Sequence, residues 1–235
     1  MAELIVALDF SKKSQALSLA KQLKNEVKWL KIGLELYTRY GPEVTKELKA
    51  LGFNIFLDLK FLDIPNTVLG AVRSATALGI DMLTVHLLGG ESMIRAALKG
   101  RELGQGENEH KPLVLGVTIL TSLERKDLPW PESREISRVV LDLAQKGQNW
   151  GVDGVVCSAQ ELALLKAKLE PGLYYLTPGI RLDQKSDDQK RTMSPGEAVK
   201  LGANFLVVGR PITCAQDPVR AARLFQKEIH PATRR

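Results

Sequence analysis

The sequence predicts a single-domain α/β protein built as a closed (β/α)8 barrel of the TIM type. Three observations carry this expectation. The length of 235 residues is close to the roughly 250 typical of one such barrel. Short β-branched or apolar runs recur eight times, each followed by a longer stretch with helical spacing, as repeated βα units around a parallel sheet require. Charged and hydroxyl residues stand at the C-terminal ends of those runs, the face on which such barrels carry their chemistry.

In chain order the strands are expected at Leu4 to Asp9, Trp29 to Gly33, Asn54 to Lys60, Met82 to Leu87, Leu113 to Leu120, Gly154 to Ser158, Tyr174 to Ile180 and Phe205 to Gly209. The helices between them have readable ends. Pro65 sits just inside one start, Ser194 with Pro195 opens another, and Asp217 with Pro218 opens the last; proline there loses no intrahelical hydrogen bond. Gly52, Gly79 and Gly202 close helices ahead of strands three, four and eight, where a left-handed cap favours glycine. No linker or low-complexity tract divides residues 1–235, so one catalytic barrel domain is expected. A doubly wound open sheet would carry a glycine-rich turn after its first strand, whereas Asp9-Phe10-Ser11-Lys12-Lys13 has no glycine.

Hydrophobic residues make up 44% and charged residues 26%, which excludes a disordered or fibrous chain. Cys157 and Cys214 lie far apart without C-x-x-C spacing, so neither a disulfide framework nor a metal site is suggested. Met1 leads directly into an apolar strand, and no apolar run approaches the ~18 residues of a membrane span. A cytoplasmic protein without membrane contact is expected. The net charge of +6 fits a phosphorylated metabolite better than nucleic acid, because the basic residues are dispersed among acids and show no aromatic interleaving.

The polar strand ends are Asp9, Lys31, Asp58, Lys60, Thr121, Arg181 and Arg210. Along Asn54–Lys60 the two-residue period sends Ile55, Leu57 and Leu59 to the helix layer and Asp58 and Lys60 to the barrel interior. Asp63 follows within one loop and Lys31 ends the neighbouring strand, so two carboxylates and two ammonium groups are expected to alternate in space. A salt-bridged rim is the ordinary alternative. Charges in a barrel mouth are nevertheless costly, and apolar replacements are often neutral or stabilising, which favours function.

Val207 to Thr213 ends strand eight with Gly209, Arg210 and a threonine. Glycine lets backbone N–H groups approach phosphate oxygens and arginine offers a fork, at the usual phosphate site of this fold. Strand seven ends in Thr177-Pro178-Gly179-Ile180-Arg181, followed by a polar segment, Leu182 to Thr192. That segment reads either as a lid bringing Gln189 or Arg181 to the anion or as a surface excursion. His86 ends strand four away from any histidine cluster and is expected to be packed or hydrogen-bonded. Thr121 and Ser122, at the end of strand five, serve either to read a base edge or to cap the next turn.

Together, Ala7-Leu8-Asp9, Lys31-Ile32-Gly33, Asp58 through Thr67, Thr177 through Arg181 and Gly209 through Thr213 resemble the orotidine 5'-phosphate decarboxylase family over nearly the whole chain. The resemblance implies a charged tetrad of Lys31, Asp58, Lys60 and Asp63. Lys60 would be the proton donor, and Asp63 would reach into the partner subunit's site of a homodimer. It further implies Asp9 and Thr67 at the ribose and Thr121 or Ser122 at the pyrimidine. Gln189, Gly209, Arg210 and Arg181 would meet the phosphate or its covering loop. Leu62 stands where the family carries a small or imidazole residue, outside the tetrad. The expected activity is decarboxylation of orotidine 5'-phosphate to UMP without metal or coenzyme. Two alternatives remain. One is a Mg²⁺-dependent sugar-phosphate decarboxylase or aldolase of the same barrel group, distinguished by EDTA sensitivity. The other is a non-catalytic phosphometabolite-binding barrel, distinguished by UMP titration beside a turnover assay.

Overall fold

The computed structural model describes residues 2–106, 110–129, 135–182 and 192–231. Eight parallel strands close in chain order: β1 (Glu3–Ala7), β2 (Trp29–Ile32), β3 (Asn54–Phe61), β4 (Met82–His86), β5 (Leu113–Val117), β6 (Gly154–Val156), β7 (Tyr174–Thr177) and β8 (Phe205–Val208), which pairs back with β1. Around them lie α1 (Lys13–Leu23), α2 (Leu34–Ala50), α3 (Pro65–Ala77), α4 (Gly90–Gly104), α5 (Ile136–Trp150), α6 (Leu162–Lys168), α7 (Pro195–Leu201), the short α8 (Arg210–Thr213) and α9 (Pro218–Ile229). The barrel architecture expected from the sequence is the one observed. Among the described residues no helix is long and apolar enough to cross a membrane.

Strand parity divides the apolar residues into two cores. Ile5, Trp29, Phe56, Met82, Leu115 and Leu176 fill the barrel interior. Leu4, Val6, Ile32, Ile55, Leu57, Leu83 and Val85 pack outward against the helices. Each such fully buried side chain contributes about 1.5–3 kcal/mol. Along β3 this places Phe56 inward between Ile55 and Leu57, and the same alternation carries Asp58 inward one layer higher.

The lower rim locks helix exits to strand entries. Gly79, Gly151 and Gly202 have φ of 72°, 95° and 100° and are each followed by a buried apolar residue and then Asp81, Asp153 or Asn204. Those side chains accept the N–H of Ile55 (2.6 Å), Val114 (2.7 Å) and Tyr175 (2.8 Å). One sequence device thus sets strand entry three times. Lys49 and Arg101 pair with the two aspartates.

The strand ends depart from the sequence expectation. β1 ends at Ala7 rather than Asp9, β8 at Val208 rather than Gly209, and β2, β4 and β6 also stop one or two residues early. β5 stops at Val117 rather than Leu120, because β6 has only three residues and the Thr118 hydroxyl turns onto the Val156 carbonyl at 3.0 Å. Thr121 and Ser122 therefore lie in a turn beyond the strand. β7 stops at Thr177 rather than Ile180, since Pro178 has no N–H to give and Gly179 turns at φ 79°. β3 instead runs on to Phe61, with a register shift against β4 between Leu57 and Phe61.

Candidate active site

The C-terminal ends of the strands surround a cavity of about 660 Å³. Asp9, Lys31, Asp58 and Lys60 form one wall, Thr121 and Ser122 a second, and Arg181, Gly209 and Arg210 a third, over a floor of Ala7, Phe56, Leu176 and Val207. The floor is the top of the interior core, so the charged layer rests on apolar side chains and is held off from water below.

The charged wall alternates in sign. Lys31 Nζ donates to Asp9 Oδ1 at 2.8 Å and lies 3.8 Å from Asp58 Oδ2. Lys60 Nζ reaches both oxygens of Asp58, at 2.8 and 2.9 Å. The side chains of Lys31 and Asp58 are 10% and 14% exposed, against 31% for Lys60. The central pair is thus desolvated and mutually compensated, while the Lys60 ammonium keeps an open side towards the cavity. Attraction between charges this close grows as water is excluded.

Lys60 has φ 50°, the single positive φ among described non-glycine residues. Such a conformation costs on the order of 1–3 kcal/mol and persists where neighbours over-determine it. Here the Lys60 N–H donates to Thr84 Oγ1 at 2.9 Å, and that hydroxyl donates to Asp58 Oδ1 at 3.0 Å. The register shift on β3 frees the Lys60 N–H for this bond and re-aims its side chain, as bulges beside active sites do.

His86, buried at the end of β4, accepts the Leu88 N–H through Nδ1 at 3.5 Å, as expected of a packed histidine. Burial, followed by the positive charge of Lys60, pushes its pKa below the ordinary value. Unfolded histidine takes up a proton near pH 6.5, and the folded chain resists doing so. This contribution to stability is therefore full above about pH 6.5 and is lost as pH falls through the lower folded value. The urea midpoint should fall on acidification below about pH 6.5, and His86→Asn should flatten that slope. An unchanged slope in the variant would remove His86 as its source.

The structure brings Asp9, Lys31, Asp58, Lys60, Thr121, Ser122, Arg181, Gly209 and Arg210 to one cavity. It does not bring Asp63 or Thr67 there. Both are exposed on the stretch Leu62–Thr67, and Asp63 Oδ1 accepts the Ile64 N–H at 2.6 Å. Within one chain the alternation expected to include Asp63 is completed by Asp9 instead. Gln189 lies outside the described residues. The ends of its segment are joined by a bridge between Ile180 and Met193, with the Arg181 N–H donating to the Met193 carbonyl at 3.1 Å. Sequence reasoning does not single out Thr84. Parity along β4 is the available signal, since Met82, Thr84 and His86 share the inward face and a hydroxyl there needs a polar partner.

A family model described as Orotidine 5'-phosphate decarboxylase / HUMPS family matches residues 2–225. A protein of Lawsonia intracellularis named orotidine 5'-phosphate decarboxylase is 53% identical over 221 residues, covering 94% of this chain and 96% of its own. One from Maridesulfovibrio salexigens with the same name is 50% identical, covering 98% and 100%. Among solved structures, orotidine 5'-phosphate decarboxylase from Lactobacillus acidophilus superposes with a TM-score of 0.86 at 35% identity, covering 98% of this chain and all of that one.

Proposed function

The chain belongs to the orotidine 5'-phosphate decarboxylase / HUMPS family and decarboxylates orotidine 5'-phosphate to UMP and CO2, the last step of UMP biosynthesis; we propose that it does so through the Lys60 ammonium, with no metal or coenzyme. The observation that carries this reading is the Asp9, Lys31, Asp58, Lys60 array on the wall of a cavity floored by apolar side chains.

Loss of CO2 from C6 leaves an electron pair that the pyrimidine ring delocalises poorly. The barrier must fall by roughly 20 kcal/mol. Lys60 stabilises the negative charge as it develops, then delivers the proton that replaces CO2 at C6. Asp58 fixes the ammonium through two hydrogen bonds, so little reorganisation is needed when charge appears. Crowding of the departing carboxylate by Asp58 ranks second to this preorganisation. The carboxylates of Asp9 and Asp58 are already engaged by lysine ammonium groups, which supports the cofactor-free reading.

Arg210, Gly209 and Arg181 take the phosphate, with Gln189 as a further contact to it, while Asp9 meets the ribose and Thr121 or Ser122 the pyrimidine. The working unit is a homodimer in the cytoplasm, without nucleic-acid or membrane partners. Asp63 and Thr67 share their exposed stretch with Leu62 and Ile64, which are 53% and 68% exposed. Covering that stretch with a second copy would hide the apolar pair and carry Asp63 and Thr67 to the partner's cavity.

The test is the loss of orotate-nucleotide ultraviolet absorbance with purified protein in excess EDTA. Full turnover is expected. Turnover that requires added Mg²⁺ would favour the sugar-phosphate type of chemistry, and UMP binding without turnover a non-catalytic barrel.

A further inference from the structure

We propose that Thr84 is a positioning residue that sets Lys60 for proton delivery; this rests on Lys60 as the acid. Thr84 is fully buried on the inward face of β4. Its hydroxyl has one proton to give and gives it to Asp58 Oδ1 at 3.0 Å, while accepting the Lys60 N–H at 2.9 Å. One atom therefore holds the same lysine at two points, through its backbone and through the carboxylate that grips its ammonium.

Both holds are needed by the geometry. The β3 to β4 ladder loses register between Leu57 and Phe61, and Lys60 stands at φ 50°. The Thr84 hydroxyl takes the place of a ladder carbonyl for the Lys60 N–H. The bond that the same hydroxyl donates to Oδ1 fixes the rotation of the Asp58 carboxylate, both of whose oxygens are taken by Lys60 Nζ.

A valine at this position would match threonine in shape and apolar packing. It would leave the Lys60 N–H short of its partner, take from Asp58 Oδ1 one of its two hydrogen bonds, and let the lysine relax towards ordinary strand geometry. Neither consequence touches Arg181, Gly209 or Arg210, which hold the phosphate end of the ligand on another wall. The chemical step should suffer and ligand affinity should not.

Thr84→Val is expected to lower kcat about 100-fold, the penalty of misplacing a reacting group by about 1 Å. UMP affinity should stay within about three-fold and Thr84→Ser should recover most of the loss, a split that a purely structural role would not produce. If Thr84→Val does not fold, Thr84→Ala removes the same hydroxyl and is read in the same way. A near-normal kcat without the hydroxyl overturns the inference, as does a parallel loss of kcat and UMP affinity that serine fails to restore. Lys60→Ala run alongside separates the two levels. If that variant turns over normally, the reading of Lys60 fails as well. If it is inactive while Thr84→Val is normal, only the role of Thr84 fails.

Discussion

Lys60→Ala should abolish turnover of orotidine 5'-phosphate while the protein still binds UMP. One ammonium is asked to do two things. Stabilising developing negative charge from a preorganised position is worth about 10²–10³ in rate for a single donor. Proton transfer by a positioned acid is worth about 10²–10⁴. Because the same atom supplies both, their loss together should leave no measurable kcat. Product binding is a different matter, since UMP no longer carries the carboxylate and, on the proposed reading, would be gripped from the wall that Arg181, Gly209 and Arg210 line. The cost to the fold should also be limited. Lys31 Nζ remains 3.8 Å from Asp58, so Asp58 keeps a cation beside it. The Thr84 hydroxyl also remains on Asp58 Oδ1. Steady-state kinetics beside UMP titration checks the prediction, and near-normal turnover would remove Lys60 as the acid.

Arg210→Ala should lower kcat/KM by about 10²–10³-fold, the usual cost of truncating one partner of a hydrogen-bonded charge pair in an interface. Arg210 opens α8 directly after Gly209, and both line the cavity. On the proposed reading its guanidinium would offer the phosphate a planar fork that a point charge does not. Its effect should extend beyond affinity. Binding energy from a non-reacting part of the substrate is available to hold the reacting part in place, so kcat should fall as well as KM rise. Unchanged kinetics would take Arg210 out of the phosphate site.

The barrel was legible because its grammar is local. Proline at helix starts, glycine at helix ends and a change of hydrophobic period lie within a few residues of the elements they mark. The inward placement of Asp58 followed from the parity of Ile55, Leu57 and Leu59, and the gathering of Lys31 beside it from its position at the end of the neighbouring strand. What sequence could not show depends on pairing between distant strands. β5 ends at Val117 because β6 is short and Thr118 turns to Val156, a fact of two segments about 40 residues apart. The positive φ of Lys60 arises from a register shift against β4, which no pattern within Asn54–Phe61 announces. Thr84 was hidden for the same reason, its importance lying in partners on the neighbouring strand. Thr67 was placed by resemblance and Asp63 also by its position one loop beyond Lys60, and the single chain leaves both on its surface.

In the proposed mechanism a lysine ammonium makes a C6 carbanion accessible and exchanges a proton with it. By reversibility, the protein should then remove the C6 proton of UMP. The direct measurement is nuclear magnetic resonance of UMP incubated with the protein in D2O. Deuterium should appear at C6 with the intact protein and not with Lys60→Ala. Exchange that survives the loss of Lys60, or no exchange with the intact protein, would contradict the account.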